Sequence, residues 1–321
     1  MSARIGIIGA GVMGAAHLRT IAGEVAGADV VAVSDADLAR ARAAAAGGTG
    51  IRVLPDAYEL IRSAEVDAVI IASSDATHEA FALACLAAGK PVLCEKPLAT
   101  TGEASLRVVD AEVALGRRLV QVGFMRRFDA GYATVKRELD DGNVGPPLLV
   151  HCAHRNARVP PDYTSEMLIT SSAAHEIDVA RWLIGDEVVS VSVHTPRPTS
   201  RAANGMQDPQ FMILEMQSGV LVDVEVFVNA GYGYDIRCEL VGEAGTVALP
   251  PTVASSFLER FTSAYRLELQ DWVRGLRNGA ASGPSAWDGY AASVVADACL
   301  ESLASGRPAG VHLAPRPGLY S

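Results

Sequence analysis

The hexapeptide Gly9-Ala10-Gly11-Val12-Met13-Gly14 lies between an apolar run, Arg4-Ile5-Gly6-Ile7-Ile8, and a segment from Ala15 to about Val25 with helical apolar spacing. A strand, a glycine turn and a helix in that order leave few folds open. Gly9 permits the tight turn, Gly11 lets a pyrophosphate approach the backbone, and Gly14 lets helix and strand pack closely. The pyrophosphate then sits on free N–H groups at the positive end of the helix that follows. A second strand, Val30 to Ser34, ends at Asp35. That places a carboxylate about 20 residues beyond the glycines, where it accepts hydrogen bonds from an adenosine ribose. Its charge repels a 2′-phosphate, and Ala36, Asp37 and Leu38 supply no adjacent arginine. Arg40 and Arg42 lie further on and read as solvent-facing. NAD is therefore expected, rather than NADP.

The alternation continues through residue 122. Helices are expected at 36–46, 58–62, 77–88 and 102–115, and strands at 51–54, 66–72, 91–94 and 119–122. The run Val66 to Ala72 is apolar throughout, as befits a strand covered on both faces. The fold class is α/β, with an N-terminal Rossmann domain built on a doubly wound parallel sheet. From Leu148 the period changes to two. Strands are expected at 148–153, 188–194, 211–217, 220–228, 235–241 and 246–249, with turn pairs Ser218-Gly219 and Ala244-Gly245 at hairpin distance. One helix interrupts them at 171–183, and two more close the chain at 264–278 and 285–304, separated by 279–284. The expected division is 1–122 for the dinucleotide-binding domain and 123–321 for a C-terminal α+β domain. The latter has a mostly antiparallel sheet. A chain of 321 residues exceeds the size at which one core stops growing.

Net charge is -10, which argues against nucleic acid and anionic membrane surfaces as partners. No apolar run approaches the ~20 residues that cross a bilayer. The N-terminus passes from Met-Ser-Ala-Arg straight into the first strand, so no signal peptide is expected. The five cysteines, Cys85, Cys94, Cys152, Cys238 and Cys299, form no CxxC pair. Buried free thiols are expected, with no metal site, in a reducing cytoplasm.

Three segments carry chemistry. Cys94-Glu95-Lys96-Pro97 follows a parallel strand at its carboxyl end, where open α/β sheets bind ligands. A plain surface lysine in a loop is the alternative reading. In Ser171-Ser172-Ala173-Ala174-His175-Glu176-Ile177-Asp178, the spacing of four puts Ser171 and His175 on one helix face, and Glu176 must point elsewhere. Asp178 could hold an imidazole nitrogen or cap a neighbouring loop. Histidine suits proton transfer near neutrality, and an alcohol losing hydride must also lose its hydroxyl proton. A helix histidine satisfied by a backbone carbonyl is the alternative. Gly231-Tyr232-Gly233-Tyr234-Asp235 joins two strands and suits either a loop at a polyol pocket or a turn with packed tyrosines.

With these residues in hand, the chain resembles the glucose-fructose oxidoreductase/inositol dehydrogenase/MocA family, and most of all its NAD-dependent inositol-oxidising branch. The resemblance runs nearly end to end, through CEKPLATT (94–101), VQVGFMRRFD (120–129), HCAHRN (151–156), HEID (175–178), YGYD (232–235) and GPSAWDGY (283–290). It implies that Lys96 polarises the hydroxyl being oxidised and that His175 takes its proton. It implies that Met125, Arg126, His154, Asn156 and Tyr234 line the polyol pocket together with Lys96, Ser171 and His175. On the cofactor side the candidates are Gly9, Gly11, Val12, Met13, Gly14, Asp35, Ser73, His78, Glu95 and Lys96. It further implies homotetramers built by stacking the open sheets.

One departure stands out. The branch carries aspartate four residues before the helix histidine, and this chain has Ser171, which cannot carry charge. Losing such a partner slows a proton-coupled step by roughly 10²–10⁴-fold if nothing replaces it. A different polyol touched by Ser171 is the first explanation, because the other site residues are in place. A substitute acid, Glu166 or Asp162, is the second, and a protein that binds NAD and polyol with little turnover is the third. The expected activity is hydride transfer between a ring secondary alcohol of an inositol-like polyol and NAD. The alternative substrates are a modified cyclitol, an aminocyclitol or a pyranose sugar.

Overall fold

The computed structural model describes residues 2–203, 205–279 and 281–321. Ala280, inside the expected break between the last two helices, lies outside the described residues. The chain forms two compact units, one of residues 1–124, 265–291 and 315–321, the other of 125–264 and 292–314. The contiguous division at 122/123 therefore does not hold beyond its first cut. The reason is apolar: the helix Thr262–Asn278 buries Leu269, Trp272 and Val273 in the same core as Ile5, Ile7, Leu18 and Ile70.

The first unit holds a six-stranded parallel sheet: β1 (Ala3–Ile8), β2 (Ala28–Ser34), β3 (Arg52–Val53), β4 (Ala68–Ile71), β5 (Val92–Glu95) and β6 (Val120–Gly123). Its order is β3-β2-β1-β4-β5-β6, the doubly wound arrangement with a switch point beside β1. All four residues of β4 are buried, as the unbroken apolar run requires. Helix α1 (Val12–Glu24) buries Gly14, His17, Leu18 and Ile21. Helices α2 (Leu38–Ala45), α3 (Ala57–Arg62), α4 (His78–Ala87) and α5 (Gly102–Leu115) follow; Asp37, Asp56 and Thr101 accept backbone N–H groups at the starts of α2, α3 and α5. The C-terminal residues return to this unit, where Tyr320 donates to the buried carboxylate of Glu112 at 2.6 Å.

The second unit carries an eight-stranded mixed sheet. Its strands are β7 (Pro147–Arg155), β8 (Val188–His194), β9 (Gln210–Met216), β10 (Leu221–Phe227), β11 (Tyr234–Gly242), β12 (Gly245–Ala248), β13 (Val253–Ala254) and β14 (Ala309–Gly310). The main order is β12-β11-β7-β10-β9-β8-β14, with β13 paired to β11. Only β7 and β10 run parallel among these pairs. The six expected strands are all present, and the two additions are two residues each, too short to show a period. Val150, Cys152, Leu214, Val224 and Cys238 point to the buried face. The other face is more open and carries Leu149, Leu221, Asp223, Arg237 and Glu239. Helices α6 (Ala130–Asp140) and α7 (Ala174–Ile184) belong to this unit.

Candidate active site

The cofactor half is built on the first unit. Gly9 has a positive φ of 92°, and a Cβ there would lie 2.4 Å from the Ala72 carbonyl oxygen. A Cβ on Gly14 would lie 1.8 Å from the Gly9 carbonyl oxygen, so both glycines are fixed by close backbone approach. Gly11 differs, since a Cβ on it meets nothing within 4 Å. It caps α1 with no side-chain hydrogen bond and leaves the first N–H groups of the helix open to an anion. Beside it lies a cavity of about 570 Å³ lined by Gly9, Gly11, Asp35, Tyr58, Ser73 and Phe81. An open helix start, a Cβ-free approach and an acid at the end of β2 fit the pyrophosphate and ribose of a dinucleotide. Val12 is exposed and Met13 half-buried at the same helix start.

Asp35 takes the Ala10 N–H on one oxygen and the Asp37 N–H on the other, each at 2.7 Å. It therefore braces the glycine turn as well as facing the cavity. Arg40 is exposed, as expected, and also lines this cavity, with a guanidinium nitrogen 3.8 Å from Asp35.

His78, a candidate on the cofactor side, is buried, with Nδ1 2.7 Å from the Pro97 carbonyl and Nε2 3.2 Å from the Ser73 carbonyl. Its imidazole ties the Ser73 turn to the turn after Lys96. Glu95 is buried too, with Oε1 2.7 Å from His17 Nε2 of α1. That pair links the glycine-turn helix to the residue before Lys96. Lys96 itself is half-buried at the carboxyl end of β5.

The candidate substrate residues from Met125 onward lie in the second unit. The single helix expected from Ser171 begins instead with a π-helical turn, Leu168–Ala173, that runs into α7. Thr170 Oγ1 donates back to the Glu166 carbonyl at 3.3 Å, beside the Thr170 N–H, which donates to the same oxygen at 3.0 Å. π-Turns of this kind cluster at functional sites. This one holds Ser171, half-buried, just ahead of the buried His175. Asp162 and Glu166 are exposed on the preceding segment.

Arg126 is fully buried. It pairs with Glu176, which is equally buried, and lies 3.3 Å from the Tyr132 hydroxyl and 3.1 Å from His154 Nδ1. Burial alone favours the neutral acid at Glu176, but Arg126 and His154 outweigh it and hold the carboxyl at about 2. Arg127 donates through Nε to Asp178 at 3.0 Å. The two arginines of MRRFD thus meet the two acids of HEID. Glu176, His17 and Arg127 were absent from the expected set; the signal available was two adjacent arginines and two spaced acids in otherwise apolar surroundings.

His154 and Tyr234 come together, their rings edge to face at 5.8 Å. Tyr234 is buried against Phe257 and Phe261 as well, and burial pushes its hydroxyl up to about 12. The packed-tyrosine reading of the Gly231–Asp235 segment therefore holds for Tyr234. Tyr232 is exposed and donates to Asp235 at 2.9 Å. Met125 is buried and Asn156 half-buried, with the Asn156 N–H on the Phe227 carbonyl at 3.0 Å. The five cysteines are free and buried, and no cluster suited to a metal ion occurs among the described residues. No helix among those residues is long and apolar enough to cross a membrane.

Two family models match the chain. Residues 3–124 match an oxidoreductase family with an NAD-binding Rossmann fold, and residues 132–248 match the GFO/IDH/MocA C-terminal domain. Inositol 2-dehydrogenase 1 of Saccharopolyspora erythraea is 57% identical, covering 100% of this chain and 99% of that protein. Inositol 2-dehydrogenase of Klebsiella pneumoniae is 47% identical over 100% of this chain and 99% of its own. Among solved structures, myo-inositol dehydrogenase from Lactobacillus casei in complex with NAD(H) and myo-inositol superposes with a TM-score of 0.96. It is 36% identical, with full coverage of both chains.

Proposed function

Because the chain belongs to the GFO/IDH/MocA oxidoreductase family, we propose that it is an NAD-dependent dehydrogenase of inositol-like cyclic polyols. End-to-end likeness to enzymes named inositol 2-dehydrogenase carries this reading. NAD, held by the glycine turn and Asp35, accepts the hydride that leaves the ring carbon as the alcohol becomes a ketone. Lys96 donates a hydrogen bond to the reacting hydroxyl oxygen and stabilises the charge that develops on it. His175 receives the hydroxyl proton as general base. His154, Asn156 and Met125 orient the remaining ring, and Tyr234 and Arg126 support them from behind. NAD reduction followed by absorbance across a panel of inositols, aminocyclitols and pyranoses tests the reading. Turnover with a cyclic polyol is expected; tight binding of NADH and polyol without turnover across the panel contradicts it.

Ser171 favours a second substrate reading, a modified cyclitol, aminocyclitol or pyranose, because a serine at this π-turn removes a charge that the unmodified substrate would meet. The open face of the second unit's sheet supports a homotetramer formed by sheet stacking, since exposed apolar residues at neighbouring positions call for cover. The free buried thiols support a cytoplasmic location.

A further inference from the structure

A buried polar pair returns little net stability, because the bond it makes mainly offsets the water it loses. His17 and Glu95 form such a pair. They are 1% and 7% exposed, and His17 Nε2 lies 2.7 Å from Glu95 Oε1. A proton on either of these atoms makes the bond, since one then donates and the other accepts. Three further features are shaped around it. His17 lies one turn beyond Gly14 in α1, and the Tyr265 ring meets it edge-on at 6.1 Å. Glu95 ends β5, and its register partner on β6 is Gly123. A Cβ on Gly123 would stand 2.9 Å from Glu95 Oε2, so the glycine leaves room for the carboxylate.

What the pair holds is the residue immediately before Lys96. On the other side of the lysine, the Pro97 carbonyl lies 2.7 Å from Nδ1 of the buried His78, whose Nε2 is 3.2 Å from the Ser73 carbonyl. Ser73 lines the dinucleotide cavity, and α1 begins at Gly11, where its first N–H groups are open to the pyrophosphate. Both neighbours of Lys96 are therefore tied to backbone that meets the cofactor. A reacting group displaced by about 1 Å costs about 10²-fold in rate, so such ties bear directly on the chemistry. We propose that His17 is a positioning residue: through Glu95 it sets the place of Lys96 relative to bound NAD. This deepens the dehydrogenase reading and rests on it for the role of Lys96.

The test uses the full-length protein and the double variant His17→Leu with Glu95→Leu, which breaks the tie and leaves no buried polar group unpaired. In the variant, kcat for polyol oxidation is expected to fall tenfold or more, with the Kd of NADH within threefold. The tie acts through Lys96, so in a Lys96→Ala background the two leucines cost nothing further. His17→Gln, whose amide nitrogen stands where Nε2 does, recovers most of the lost rate. Additive losses with Lys96→Ala, or a lower Tm with kcat kept, overturn the proposal. A second arm reads the lysine itself. The chain has only three lysines, Lys90, Lys96 and Lys136, so 13C-labelled lysine gives a simple spectrum in which Lys96→Arg assigns the signal. NADH is expected to shift the Lys96 Cε signal in the wild type, and by half as much or less in the double variant. An equal shift in both proteins, or none in the wild type, overturns the proposal. If the double variant fails to fold, His17→Leu with Glu95→Gln, which also leaves no buried charge, takes both measurements. The spectra need no turnover. A wild type inactive on every cyclitol therefore sinks the dehydrogenase reading and leaves the role of His17 still decided by the Lys96 signal.

Discussion

Asp35 does two jobs with one carboxylate. It holds the Ala10 and Asp37 N–H groups and faces the cavity where a ribose fits. Arg40 sits beside it, 3.8 Å away, as a cation neutralised by that acid. Replacing Asp35 with serine removes the repulsion toward a 2′-phosphate and releases Arg40 to meet it. Asp35→Ser is expected to lower kcat/KM for NAD by about 10–100-fold, the cost of charge-assisted hydrogen bonds, and to raise kcat/KM for NADP. Parallel assays with the two cofactors check this; an unchanged NADP rate would show that Arg40 stays engaged elsewhere. Ser171→Asp supplies the other informative substitution. If the serine is what turns myo-inositol away, restoring the carboxylate raises its turnover by roughly 10²-fold. No gain would place the selectivity elsewhere in the pocket. At this scale the sequence exposed the residues whose chemistry is local, such as Asp35 and the glycines. It hid those defined by a distant partner. Nothing near Arg126 in the chain announces Glu176, fifty positions on, and nothing near His78 announces the Pro97 carbonyl.

Helix α1 shows how one turn separates two kinds of glycine. Gly14 has backbone within 1.8 Å of where a Cβ would sit, while Gly11 has open space. Gly14→Ala is expected to destabilise the first unit by about 1–3 kcal/mol through overpacking, seen as a lower Tm. Gly11→Ala is expected to keep the wild-type Tm yet weaken NADH binding at least tenfold, because its methyl occupies the approach of the pyrophosphate. Titration calorimetry and thermal melts separate the two. Helix α7 makes a pH prediction. The folded value of Glu176, about 2, lies below its ordinary 4.5, so its ionisation stabilises the fold above 4.5 and that contribution is lost as pH falls toward 2. Melts across that window are expected to show a fall in Tm that is shallower in Arg126→Met with Glu176→Leu; an equal fall in both would contradict the assignment. Strand and helix periods were legible because burial on one or both faces writes them into the chain. The π-turn was not, because Thr170, Ser171 and Ser172 fit a regular helix by spacing.

Across the whole chain, two units interleave in sequence, and a reader of composition alone cannot see that 265–291 and 315–321 join the first. Only the pattern of Leu269, Trp272 and Val273 meeting a parallel-sheet core reveals it. The open sheet face gives the molecule its assembly prediction. Leu221 and Leu149 are register partners, 42% and 37% exposed, on adjacent strands. Leu221→Glu is expected to shift the sedimenting species below that of the wild type, and an unchanged oligomer would remove this face from the assembly. In the proposed reaction a ring secondary alcohol passes its hydride to NAD while Lys96 and His175 manage the oxygen and its proton. The most direct measurement uses myo-inositol, or the best polyol of the panel, deuterated at the oxidised carbon. Deuterium in the isolated NADH, a primary isotope effect on kcat/KM, and a loss of roughly 10²-fold or more in His175→Gln with cofactor binding intact are predicted. NADH without deuterium, or full activity in His175→Gln, would contradict it.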